Sequence, residues 1–225
     1  MAKIKFGMFM TDARGKVGGQ VFSKNRGGAY VRTKVTPSNP RTAKQMASRA
    51  ILGQLSVGWS ALTSPQIQAW NKAVNDWQKT DIFGDLKSPT GKNLFVALNK
   101  NLLQSNQVPL DVPPAKKDLQ DLSQMAAAIN ISTTVISITG LPPLGAGTYQ
   151  VWATPAINKG VSFYKNKLRV LGYESSLADA GENLFDLYNQ TFGALKAGDN
   201  LFIQVRVIGD NGQAGVPFAV RVVAS

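Results

Sequence analysis

LFIQVRVI, residues 201–208, sets Leu201, Ile203, Val205 and Val207 on one side of an extended chain and Gln204 and Arg206 on the other. Alternation of this kind has a period of two, which a strand satisfies and a helix does not. The aliphatic row needs a second layer to cover it, so the strand belongs to a layered domain. Working outward, the same periodicity predicts strands at Ile129–Thr139, Thr148–Thr154, Lys167–Tyr173, about Leu184–Phe192 and Phe218–Ala224, each bounded by Gly, Pro, Asn or Asp. GDNGQ, residues 209–213, reads as the hairpin turn joining the last two strands.

Six or seven short alternating strands over residues 129–225 describe an immunoglobulin- or fibronectin-like β-sandwich. Trp152, between Val151 and Ala153, is a candidate for its core. Upstream lies VPLDVPPAKK, residues 108–117, in which Pro109, Pro113 and Pro114 stiffen the chain into an extended segment. A linker over 108–128 therefore separates the sandwich from what precedes it.

Residues 38–107 carry the other period. Asn39 and Pro40 suit a helix cap and first turn. Met46, Ala47, Ala50, Ile51 and Leu55 recur at helical spacing toward Trp59. Thr63 and Gln66 have the spacing of a capping box, with Pro65 just inside, and Ile67, Trp70, Val74 and Trp77 form one apolar stripe. A third helix carries Leu94, Phe95, Leu98 and Leu102. Short loops between the three make an antiparallel helical cluster, and the tryptophans at helical spacing read as its core rather than as a stacking platform. The chain is thus expected to be α+β with two domains, a small three-helix cluster and the sandwich, preceded by a basic arm.

That arm, residues 1–37, is unlike the rest. The whole chain has a net charge of +12, but residues 1–50 hold 11 Lys/Arg against the single acid Asp12, a net of +10, and the remaining 175 residues hold 14 against 12. Charge segregated this way marks a surface that meets a negative partner, either phosphate or an acidic protein face. Lys3 and Lys5 alternate with Ile4, Phe6, Met8 and Met10 as in a strand. GKVGGQVFSKNRGGAYVRTKV, residues 15–35, has β-prone runs on both sides of Asn25–Gly28, a hairpin or an extended ribbon. A two-stranded ribbon alone is marginal in water, so the arm either folds back on the helices or waits for a partner. Tyr30, Arg32 and Lys34 share one face of the second limb and Val31, Thr33 and Val35 the other, with Lys24 and Arg26 at the tip. The candidate partner-binding residues are Lys16, Phe22, Lys24, Arg26, Gly27, Gly28, Tyr30, Val31, Arg32 and Lys34.

Zero His and zero Cys remove Ser/His and Cys/His nucleophiles, imidazole acid–base work and the usual zinc sites. GKVGG lacks the spacing and the Lys-Ser/Thr pair of a nucleotide loop. Asp76, Asp81 and Asp85 match no calcium-loop pattern and read as surface. The sequence is accordingly read as non-enzymatic, with no catalytic residue, metal or cofactor expected and no small-molecule substrate. No run approaches the length that spans a bilayer and no charged leader precedes an apolar one, so the expectation is a soluble, cytoplasmically made protein without a membrane partner.

The string GKVGGQVFSKNRGGAYVRTKVTPSNPRTAKQ, then WSALTSPQIQAWNKAV, then SPTGKNLFVALN, resembles a pattern of virion structural proteins of tailed bacteriophages and a related family of unknown function from Bacteroidota and their phages. It covers residues 1 to about 105. The resemblance implies a non-enzymatic structural protein of the virion, first of all a capsid auxiliary or decoration protein whose arm docks on capsid or other virion proteins. A head–tail junction or tail component would use the same arm. The reading from another class is a nucleic-acid-binding packaging protein, whose warrant is phosphate neutralisation by the basic arm; a cell-surface adhesion module suits the sandwich but lacks an export signal.

Overall fold

The computed structural model describes residues 2–119, 121–141, 144, 147–177 and 181–225, with the backbone alone at 181 and 182. It is α+β: among the described residues, four helices accompany several antiparallel sheets.

The N-terminal residues form β1 (Ala2–Lys3), β2 (Gly15–Val17), β3 (Gln20–Asn25) and β4 (Gly28–Thr33), one antiparallel sheet in the order β1-β4-β3-β2. Two tight turns build it. Val17 pairs with Gln20 around Gly18–Gly19, and Asn25 with Gly28 around Arg26–Gly27. Gly18 (φ 54°) and Gly28 (φ 104°) take the left-handed conformations that such turns require. The Asn25 side chain accepts the Gly27 N–H at 2.8 Å and fixes the second turn. The N-terminal strand is shorter than its alternation predicts. Lys3 lies opposite Tyr30, and Ile4 N–H reaches Ala29 O at 3.0 Å, but β4 begins at Gly28, so there is nothing further to pair with. The chain then turns at Gly7–Met10 and leaves Met8 88% and Phe9 98% exposed.

Helices α1 (Ala43–Ala61), α2 (Ser64–Ala73) and α3 (Gly91–Gln104) form the predicted cluster, with a short ribbon of β5 (Lys79–Thr80) and β6 (Leu86–Lys87) between the last two. The start of α1 lies later than expected. Arg41 has φ 50°, which no helix tolerates, and Thr42 is the cap, its Oγ1 accepting the Gln45 N–H. Asn39 accepts instead from the Arg49 guanidinium at 2.8 Å. At α2 the Gln66 side chain accepts the Thr63 N–H at 2.8 Å, as the capping spacing requires. Leu55, Trp70, Val74, Trp77, Leu94, Phe95 and Leu98 make the buried core, with Trp70 edge-on to Phe95 at 5.4 Å.

The proline-rich segment runs against this core. The Trp70 indole N–H donates to Asp111 O at 2.8 Å. Asn99 is fully buried, donates to Leu110 O at 3.0 Å and accepts Leu110 N–H at 2.7 Å.

Beyond it come β7 (Ala126–Asn130), β8 (Val135–Thr139), β9 (Gly147–Ala153), β10 (Arg169–Glu174), α4 (Gly181–Phe192), β11 (Asn200–Gly209) and β12 (Phe218–Val223). Four strands make an antiparallel sheet in the order β10-β9-β11-β12, while β7 and β8 form a hairpin that meets the end of β12 through a parallel bridge, Ile129 to Ala224. Leu201, Ile203, Val205 and Val207 all face the buried side, as their alternation predicts. Two strand predictions need correction. The stretch expected as one strand over Ile129–Thr139 is divided by a turn in which the Asn130 side chain accepts the N–H of Ser132 and Thr133. The stretch Leu184–Phe192 is helix α4, not strand. Leu184, Leu187 and Tyr188 stand three and four apart, which puts them on one helical face, and this face packs against β8 and β10.

The two parts touch directly. Asn101 of α3 donates to Gly212 O at 2.8 Å in the β11–β12 turn, and Lys117 bonds Asp210 at 2.8 Å.

Candidate interface on the N-terminal sheet

The strand register sorts the sheet's side chains into two faces, because residues directly opposite one another project the same way. One row contains Lys16, Val21 and Arg32, the next Lys3, Tyr30 and Ser23; together they define a face of cations and one aromatic ring. Phe22 and Val31 lie opposite each other on the reverse face, with Lys24 and Val17 on that side. Phe22, Tyr30 and Val31 are half-buried, and Lys16, Lys24, Arg32 and Lys34 exposed. The structure therefore brings Lys16, Arg32 and Tyr30 together and places Phe22 and Val31 behind them. It sets Arg26, Gly27 and Gly28 apart, at the hairpin tip. Lys34 lies beyond β4, its N–H on Gly19 O at 2.8 Å. Lys16, Lys24, Arg26, Arg32 and Lys34 make no ion pair among the described residues.

What holds this sheet to the helices was missed in the sequence. Lys3 Nζ meets Asp81 Oδ2 at 3.0 Å, and Lys5 Nζ meets Asp85 at 3.0 Å while lying 5.3 Å above the Phe83 ring. Asp81 is the better sheltered acid, with its side chain 5% exposed. Its Oδ1 accepts the N–H of Phe83 at 2.8 Å and of Asp85 at 3.1 Å, which closes the loop between β5 and β6 around the carboxylate. Desolvation pushes the Asp81 carboxyl upward, but the Lys3 ammonium and those two N–H groups outweigh it and hold it below its ordinary value. The DIFGD acids thus receive the arm. Their signal was charge complementarity between Lys3/Lys5 and Asp81/Asp85, invisible while residues some 80 positions apart could not be juxtaposed.

The sheet has two free edges, β1 and β2, and residues 15–17 on β2 are all exposed. The backbone groups on the outer side of β2 are open to another strand. Among the described residues, no group of three His, Cys, Asp or Glu side chains is placed to hold a metal ion. Among the same residues, no helix is long and apolar enough to cross a membrane. No family model, no curated protein and no solved structure matches the chain.

Proposed function

We propose that this is a non-enzymatic structural protein of a tailed-phage virion, in first place a capsid auxiliary protein, which docks on a neighbouring virion protein through its N-terminal sheet. The observation that carries the reading is the sheet itself. It is fastened to the helices by two ion pairs and carries exposed cations without an ion pair among the described residues, a half-buried ring and an open strand edge. Main-chain pairing to such an edge gives affinity over a thin footprint, and Lys16, Arg32 and Tyr30 would supply selectivity for an acidic partner face. The resemblance of residues 1 to about 105 to phage structural proteins supports the same reading.

The reading includes a domain plan of residues 1–37, 38–107, 108–128 and 129–225, with an immunoglobulin/fibronectin-like sandwich last. The sheet order β10-β9-β11-β12 supports this, being compatible with the four-stranded layer of such a sandwich. The nucleic-acid reading rests on the same cations, but the arm offers only Phe22 and Tyr30 as large rings among the residues singled out for binding, both half-buried.

Salt separates the two. Strand pairing and apolar burial are weakly screened, whereas phosphate neutralisation weakens by orders of magnitude between about 50 and 200 mM salt. Incorporation into particles should persist at high salt and suffer more from Tyr30→Ala or a Gly27→Ala/Gly28→Ala pair than from any single Lys change. Steeply salt-dependent binding to random DNA, indifferent to those substitutions, would replace this reading with packaging.

A further inference from the structure

Between the arm's hairpin tip, the start of α3 and the β11–β12 turn lies a cleft of about 610 Å³. Its rim carries Arg26, Lys79, Lys87 and Lys116, from four separate stretches of chain, and no carboxylate lines it. Its floor is apolar, formed by Trp77, Leu94 and Leu98, whose side chains are already packed into the helical core at 8%, 4% and 4% exposure. The nearest acid to a rim cation is Asp85, 3.9 Å from Lys87 and itself engaged at 3.0 Å by Lys5. Arg26, Lys79 and Lys116 have no ion pair among the described residues.

We propose that this cleft binds an acidic peptide segment of another chain, with its carboxylates on the four rim cations and an apolar side chain against the Trp77–Leu98 floor. Converging cations, three of the four without an ion pair among the described residues, repel one another, and a polyanionic ligand relieves that repulsion as it binds. The apolar floor selects a ligand that also brings a hydrocarbon group, as pockets with few polar anchors commonly do. Nucleic acid fits less well. Stacking needs an open ring face, and the only ring in the lining, Trp77, is turned into the core. The site does not depend on the particle reading, since an acidic segment on any partner would satisfy it.

The test uses the full chain and a panel of short fluorescein-labelled peptides in which Asp/Glu alternate with Leu or Phe, beside the same panel with Asn/Gln. Anisotropy should show saturable binding by the acidic panel alone. A Lys79→Ala/Lys87→Ala/Lys116→Ala variant should weaken it by about tenfold or more, because several charge contacts go at once. Lys100→Ala/Lys159→Ala, which removes cations outside the lining, should leave it unchanged, and both variants should melt as the parent does. The proposal is overturned if no acidic peptide binds, if the triple variant binds as tightly as the parent, or if a single-stranded oligonucleotide of equal length binds more tightly and is lost with the same three lysines.

Discussion

Asn99 tests how the proline-rich segment is held. Its side chain is fully buried and makes a two-way bond with the Leu110 backbone, at 2.7 and 3.0 Å. In Asn99→Ala both bonds disappear. Each is worth about 0.5–1.5 kcal/mol net, and because Leu110 is half-buried its freed groups recover water only in part, so the total should lie near 2 kcal/mol. For a chain of this size that corresponds to a fall in Tm of about 4–8 °C in the transition carrying the helices. The substitution should also loosen residues 108–114, because the Trp70 bond to Asp111 would then hold the segment alone. Limited proteolysis followed by mass spectrometry reads this directly: little cleavage at 108–114 in the parent and fast cleavage in the variant. A free linker gives the opposite pattern. If the parent is cut there as fast as Asn99→Ala and the two melt together, the segment is no strap and the reasoning fails.

Removing residues 1–36 should leave a cooperative melt by circular dichroism, since neither buried cluster includes an arm residue; a broad, non-cooperative transition would make the arm part of the fold. The Lys3–Asp81 contact should be acid-resistant. A carboxyl whose folded pKa is depressed contributes stability that is complete above its ordinary value, 3.8 here, and is lost as pH falls through the lower folded value. Backbone NMR shifts of Ala2 and Lys3 should therefore hold from neutral pH down past 3.8 and change only in stronger acid, and release near pH 5 would contradict the assignment. Gly212→Ala should be among the costliest single changes. Its φ is 74°, and a Cβ would lie 2.4 Å from Leu98 O, so the β11–β12 turn must leave α3 and give up the Asn101 bond. Gly193→Ala, at φ 93° with open space around it, should cost only the conformational term of about 1–2 kcal/mol; equal melting losses in the two would refute the docking.

Much of this architecture was legible because it rests on local rules. The alternation at 201–208, the Thr63–Gln66 cap, the stripe through Trp70 and Trp77 and the turn glycines are all statements about neighbours within one turn or one pleat, and each reappears in the structure. Errors arose where local pattern was ambiguous. Leu184–Phe192 offered Leu184, Phe185, Leu187 and Tyr188, a set that was read with period two when its three- and four-residue spacings belong to a helix. Residues 3–10 alternate well, yet a strand exists only as far as a partner does, and β4 stops at Gly28. Asn39 was the expected cap, but the left-handed Arg41 breaks the helix after it, and Thr42 caps instead.

By itself, then, the sequence determined the helices and strands set by short-range spacing, the segregation of charge into the first fifty residues, and the absence of imidazole and thiol chemistry. Which surface that charge becomes was decided only by the tertiary structure. Pairing of Lys3 and Lys5 with Asp81 and Asp85 spends two of the arm's cations on holding it in place, and the register of β2, β3 and β4 gathers Lys16, Arg32 and Tyr30 on one face. The cleft under Arg26 exists only because segments distant in the chain converge. Contacts of this kind depend on distances through space between residues far apart in the chain, a quantity that no local periodicity carries.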